Sequence, residues 1–378
     1  MADGEIVREW IALSLFGAGF RTDAARLVRE LGTDGTRPPL HDVASRLYPD
    51  PGERRREVDR AHEAAERALR ESRVRGDRAL TLADPDYPPQ LREIVDPPPV
   101  LWVSGDAAIL SKPAIGVVGS RDAVPASLAV ARRLGCELSE AGLVVVSGLA
   151  RGVDGAAHAG ALAGTGKTVA VMGSGLDVVY PAQHKHLAAQ VSQTGAVVSE
   201  LPPWVKPVGR HFPLRNRIIS GLSRAILVVE ASEHSGSLIT ARLASEQGRD
   251  VLAVPGGVLS GRHRGSNALI KDGARLVETV NDVLAEIGWT QVATANGASN
   301  LLPINILESR MAAGEHYTVE QLADRIGRSA AETMVELSHL ELAGRVVRMT
   351  GGQFVLIASD ARRQRTSRAS EPPERSGA

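Results

Sequence analysis

The chain has 378 residues, with 44 basic side chains balanced by 44 acidic ones, 43% hydrophobic and 23% charged residues. This is an ordinary soluble composition long enough for more than one domain. Its single cysteine, Cys136, excludes an internal disulfide framework and fits a reducing cytoplasm. No run reaches the roughly 18 apolar residues of a membrane span, and no secretory leader is expected.

Residues 1–80 are expected to form a helical region. Trp10, Ile11, Leu13, Leu15 and Phe16 precede a Gly17-Ala18-Gly19 break, and Ala24, Ala25, Leu27, Val28 and Leu31 follow at helical spacing. Glu53 to Arg75 is charged nearly throughout and reads as a solvated helix. Residues 84–106 are punctuated by proline and are expected to be mostly extended.

From Pro113 short apolar runs alternate with Ala-rich amphipathic stretches. The strand-like runs are 114–118, 143–147, 168–172, 196–199, 225–230 and 250–255, with helical periodicity at 124–141, 153–163, 183–194, 215–222 and 237–248. Apolar strands joined by helices imply an α/β fold, a Rossmann-like parallel sheet covered on both faces and spanning 81–288. Ligands bind such sheets at the carboxyl ends of the strands. Those ends read Gly119-Ser120-Arg121, then Ser147-Gly148-Leu149-Ala150-Arg151-Gly152-Val153-Asp154, then Gly173-Ser174-Gly175. Later come Glu230 with Ser235-Gly236-Ser237, and Pro255-Gly256-Gly257. Gly and Ser at these turns would let backbone N–H groups approach an anion.

The run from Leu201 to Arg224 carries Lys206, Arg210, Arg215, Arg217 and Arg224, with no acidic residue. Trp204 and Phe212 sit among these cations, and Tyr180 is the other aromatic between Lys112 and Gly288. Cations for phosphates and a flat apolar face for a base are what a single-stranded nucleic-acid site requires.

Other chemistries are disfavoured. Gly164-Thr165-Gly166-Lys167-Thr168 resembles a phosphate-binding loop, but Ala161 stands where its first glycine should be and it precedes a strand. Val178 spoils a dinucleotide fingerprint at Gly173, so no NAD or ATP cofactor is expected. His184 and His186 lack further ligands at metal spacing, and Asp154 is expected to pair with His158 one helical turn on.

Residues 274–288 are expected to add a short strand and a closing helix, and 289–300 to form a linker. Residues 301–358 give helix, helix, helix and a two-strand ribbon, the order of a winged helix. Its third helix carries Glu332, Glu336 and Glu341 and no Arg or Lys, which suits a protein contact better than phosphate. Residues 359–378 are expected to be a disordered tail.

Motifs in order along the chain resemble the bacterial DNA-processing protein A (DprA/Smf) family. They are VGSR at 118–121, SGLARGVDGAAHAGAL at 147–162, GSGLDVVYP at 173–181, FPLRNRIISGLS at 212–223 and GSNALIKDGA at 265–274. The resemblance implies a protein that binds and protects single-stranded DNA, hands it to the recombinase RecA, and acts in natural transformation and recombination. It implies a homodimer formed through the Rossmann-like domain, with contacts around Leu269 and Ile270. Carried over by motif, the DNA pocket would comprise Ser120, Arg121, Ser147, Gly148, Arg151, Phe212, Arg215 and Asn216. Arg210 stands where some members place a lysine before the phenylalanine. About four phosphate contacts would give a log–log salt slope of roughly −3. The alternative is a nucleotide phosphoribohydrolase-like enzyme, suggested by Glu230 and the Pro255-Gly256-Gly257 turn; the family resemblance implies no enzyme and no cofactor.

Overall fold

A computed structural model describes residues 2–16, 40–289, 306–312, 314–342 and 345–356. The chain divides into two compact units, Met1–Ala123 with Ala131–Trp289, and Val124–Val130 with Thr290–Ala378. The expected Gly17–Gly19 break, nearly all of the linker and the tail lie outside the described residues.

The first unit begins with helices α1 (Ala2–Leu15), α2 (Leu40–Leu47) and α3 (Pro51–Arg75). Asp50 starts α3 by accepting the Glu53 N–H at 2.7 Å, Pro51 occupies its first turn, and Gly76 ends it at φ 78°. The charged sequence of α3 hides an alanine stripe, because Ala61, Ala65 and Ala68 are buried. The helix is therefore only partly solvated. Small side chains at i, i+4 and i+7 let α1 approach closely, and Trp10, Ile11 and Leu13 share a core with Val100 and Trp102 of the sheet.

The sheet has nine strands: β1 (Arg78–Thr81), β2 (Val100–Gly105), β3 (Ala114–Val118), β4 (Val144–Ser147), β5 (Thr168–Val171), β6 (Ala196–Ser199), β7 (Ala225–Val228), β8 (Asp250–Ala253) and β9 (Arg275–Leu276). Their order is β1-β2-β6-β5-β4-β3-β7-β8-β9. The run from β6 to β9 is parallel, as the apolar strands required. The expectation of a parallel sheet is corrected at one edge, where β1, β2 and β6 pair antiparallel. Parallel neighbours need a long crossover, and the prolines of 84–99 leave only a four-residue helix, Pro89–Arg92, between β1 and β2. The buried strand residues of β3 to β8, among them Val118, Val146, Val171 and Val228, form the main core.

Five helices position the residues that matter below: α5 (Pro125–Glu140), α6 (Val153–Ala163), α7 (Lys185–Thr194), α8 (His211–Leu222) and α9 (Gly236–Glu246), where α4 is the short Pro89–Arg92 turn. From β3 the chain builds outward through β4, β5 and β6, then returns to the other side of β3 as β7. The strand order thus reverses at β3 and β7, where open α/β sheets place their ligand crevice. Helices α10 (Arg264–Lys271) and α11 (Val280–Glu286) follow.

The second unit holds α12 (Ile306–Ser309), α13 (Val319–Ile326), α14 (Ala330–Leu342) and a sheet ordered β10-β12-β11 from β10 (His316–Tyr317), β11 (Val346–Arg348) and β12 (Phe354–Leu356). This is the expected winged-helix order, with β10 added to the ribbon. Thr318 and Gln321 form a reciprocal cap that starts α13, and Gly327 ends it at φ 68°. Leu307, Leu322, Leu337 and Phe354 fill its core. No helix among the described residues is long and apolar enough to cross a membrane.

Candidate nucleic-acid interface

A cavity of about 680 Å³ opens beyond β3 and β7, lined by Ser120, Arg121, Phe212, Arg215, Asn216 and the start of α9. Backbone bonds fix its rim. The Ser120 N–H donates to the Glu230 carbonyl at 2.8 Å, and the Val153 N–H donates to the Ser120 carbonyl at 3.1 Å. Gly152 makes this approach possible, because at φ 76° any Cβ would run into that Ser120 carbonyl.

Arg121 is exposed at the rim, with its Cζ 5.2 Å from the centre of the Phe212 ring. Tyr180, half exposed, also packs on Phe212, with ring centres 5.6 Å apart. Gly173 makes room for Phe212, since a Cβ there would lie 2.8 Å from the ring. A small adjoining hollow is lined by the exposed Arg151 together with Arg121, Gly148, Tyr180 and Phe212. The structure thus gathers two exposed guanidiniums and two rings, inclined at 52° to each other, at one opening.

Other expected contacts are placed differently. Ser147 is fully buried, and its hydroxyl donates to the Val117 carbonyl at 2.7 Å. It ties β4 to β3 and does not face the cavity. Gly148 is also buried, its N–H donated to Asp154 Oδ2 at 3.1 Å, and a Cβ there would collide with the Arg215 guanidinium. Arg215 is only 4% exposed and donates to the Val171 carbonyl. Burial pushes its pKa down to about 10; Asp154 opposes that shift and Arg121 adds to it. Burial likewise raises the Asp154 carboxyl, against the pull of Arg215 and the Ala150 and Gly148 N–H groups. Arg215 remains charged at neutral pH, but its charge is offset by Asp154 and covered by protein.

The expected backbone anion cradle is therefore corrected. The N–H groups of Ser120, Gly148, Ala150 and Gly175 all have acceptors within the protein. Glycines in these turns serve close packing of Phe212 and Arg215 instead. The expected Asp154–His158 pair is corrected as well. His158 Nδ1 meets Thr168 Oγ1 at 2.7 Å, and that hydroxyl donates to the Val145 carbonyl at 2.7 Å, so Nδ1 carries the proton. Burial, then His184 and Arg215, lowers the His158 pKa to about 3.

The basic run is also less free than its sequence suggests. Arg217 forms a paired contact with Glu200 at 2.7 and 3.2 Å and a further one with Asp96 at 3.2 Å. Arg224 lies over Trp289, and Trp204 is capped by Arg67 at 4.3 Å while packing on the helical region. Arg210 is exposed but lines a different cavity, with Lys206, Trp204 and Arg60. Carboxylates outside the run, Glu200 directly before it and Asp96 far upstream, neutralise part of a run that contains none itself.

A family model described as DNA recombination-mediator protein A matches residues 78–288, more than half of the chain. The chain belongs to the DNA-processing protein A (DprA/Smf) family. A second model, the DprA winged helix domain, matches residues 313–352. The protein Smf of Escherichia coli is 42% identical over 282 residues, covering 70% of this chain and 74% of that one. The X-ray structure of DNA processing protein A from Streptococcus pneumoniae aligns with TM-score 0.65 and 38% identity, covering 74% of this chain and 97% of that one. The Helicobacter pylori homologue, whose structure is described by its single-stranded DNA binding mode, aligns with TM-score 0.51 and 29% identity over 56% of this chain and 95% of that one.

In this DNA-processing protein A fold, sequence reasoning named the Ser235-Gly236-Ser237 turn among the anion-approaching turns but left Tyr180 and Thr240 out of the expected site. Tyr180 had a signal, being one of the few aromatics of the sheet region and lying just beyond a strand-end glycine turn. Leu269 and Ile270, expected at a dimer contact, are half-buried on α10 and pack against the main core. Among the described residues no three His, Cys, Asp or Glu side chains are grouped to hold a metal ion.

Proposed function

We propose that the protein binds single-stranded DNA in the crevice between β3 and β7, protects it, and delivers it to RecA without itself catalysing a reaction. The observation that carries this reading is exposed Arg121 beside the Phe212–Tyr180 ring pair at the mouth of a nucleotide-sized cavity. Guanidiniums take phosphates, and a ring face takes a base only when that base is unpaired. The single-stranded DNA binding mode described for the Helicobacter pylori homologue supports the same assignment.

The phosphoribohydrolase alternative has little support. Glu230 is 1% exposed, and the Gly256 N–H is taken by Asn267 Oδ1 at 3.1 Å. A buried acid that does not line the crevice is poorly placed to act on a nucleotide bound there. Homodimerisation is assigned to the α10–β9 edge, where Leu276 of the short edge strand is 42% exposed.

The test is a titration of labelled oligo-dT and of the matching duplex, with sedimentation of the same samples. Preference for the single strand by a dimer is expected. Equal or tighter duplex binding would move the DNA site elsewhere, and release of ribose 5-phosphate from a nucleotide would revive the enzyme.

A further inference from the structure

Helix α9 begins at the crevice. Its capping Ser235, then Gly236, Ser237 and Thr240, line the same cavity as Arg121. The first turn carries no acidic side chain. Ser235 and Ser237 satisfy each other, their hydroxyls 2.7 Å apart. Thr240 does not fit that pattern. It is 2% exposed, yet its hydroxyl makes no hydrogen bond among the described residues. Ser245 on the same helix and Ser220 on α8 return their hydroxyls to the carbonyl four residues back, each at 3.3 Å. Asn216, on the same cavity, also has a carboxamide without a partner among the described residues.

The Thr240 hydroxyl lines the cavity with no partner from the protein, so its partner has to come from inside the cavity, as solvent or as a ligand oxygen. The class of ligand follows from the surroundings. A helix amino end favours an anion, and exposed Arg121 lines the same cavity, whose other cation, Arg215, is offset by Asp154. The cavity volume falls within the roughly 300–1,000 Å³ of small-molecule pockets, room for a nucleoside between two phosphates.

We propose that the amino end of α9 with Thr240 is a second phosphate subsite, so that the crevice encloses one whole nucleotide of the strand. One phosphate lies at the Arg121 rim and the next at α9, with Asn216 alongside the enclosed nucleoside. This rests on the single-strand reading above and extends it, because it makes the crevice selective for a phosphate at a fixed distance from the rim.

The experiment is competition against labelled oligo-dT by the dinucleotide d(TpT), unmodified or carrying a 5′ or a 3′ terminal phosphate. With the wild-type protein one of the terminal phosphates should strengthen competition about tenfold, the worth of a charge-assisted hydrogen bond. Thr240→Val, close in shape, should abolish that gain, while Thr240→Ser should keep it. Arg121→Ala should weaken all three competitors. A terminal-phosphate gain that survives Thr240→Val, or no gain in the wild type, overturns the subsite. Failure of the wild type to bind oligo-dT at all overturns the underlying reading as well. Binding that depends on Arg121 but ignores terminal phosphates removes only the α9 subsite.

Discussion

The crevice of the sheet unit and helix α14 of the winged-helix unit are both places where a DNA-binding protein would carry positive charge, and only the first does. At the crevice Arg121 and Arg151 are exposed beside aromatic rings. On α14 the charges are Glu332, Glu336 and Glu341, and the neighbouring Arg328 is engaged by Glu336 at 2.9 Å. The Ser329 hydroxyl and N–H hold the Glu332 carboxylate below its usual range, so that surface stays anionic into mild acid. A winged helix is thus no guarantee of a DNA-reading helix. The side chains on the surface decide, not the order of the elements.

The difference can be broken at either end. The largest effect is expected at Phe212→Ala, which removes the ring between Arg121 and Tyr180 and should weaken single-strand binding by about 1–3 kcal/mol. Phe212 is only half-buried, so the thermal midpoint should move little; an equal loss of folding and binding would instead make the ring a packing residue.

Acid should act on the sheet unit through His158. Its folded-state pKa is depressed from 6.5 to about 3, so the unfolded chain takes up the proton first as pH falls. The stability it contributes is complete above about pH 6.5 and is lost progressively from there toward pH 3, amounting to about 2 kcal/mol by pH 5. Denaturant unfolding of wild type and His158→Asn at pH 7 and 5 measures this, since the amide can keep the bond to Thr168 without titrating. Parallel pH dependences would show that His158 is not the group involved.

The smallest effect is expected on α14. Glu332→Gln should change single-strand affinity by less than about twofold, because this surface is not part of the proposed DNA site. A large gain would mean that the winged helix does meet DNA.

Much of the scaffold was legible because period and composition report it directly. The valine-rich runs became β3 to β8, and the Ala-rich stretches between them became helices. The antiparallel edge was not legible, since the proline segment showed extension without its direction. Within the site, Arg121 and Phe212 came through as expected neighbours of one cavity. Ser147 and Arg215 carry the right chemistry, but strand pairing turns one into the sheet and burial covers the other. A linear count of charges also overstated the basic run, because Glu200 and Asp96 meet Arg217 only after folding. Thr240 gave no signal in the sequence at all; only its unpartnered hydroxyl beside a cavity sets it apart.

The count of free cations carries the account, and it departs from the sequence-based expectation of roughly −3 for the salt slope. With Arg215 buried against Asp154 and Arg210 at another cavity, Arg121 and Arg151 are the rim cations left to neutralise phosphates. At about −0.7 per contact, the log–log salt slope for oligo-dT should be roughly −1.4, and it should flatten toward zero in the Arg121→Ala/Arg151→Ala double variant. A slope near −3 that survives both substitutions would contradict the crevice as the phosphate clamp.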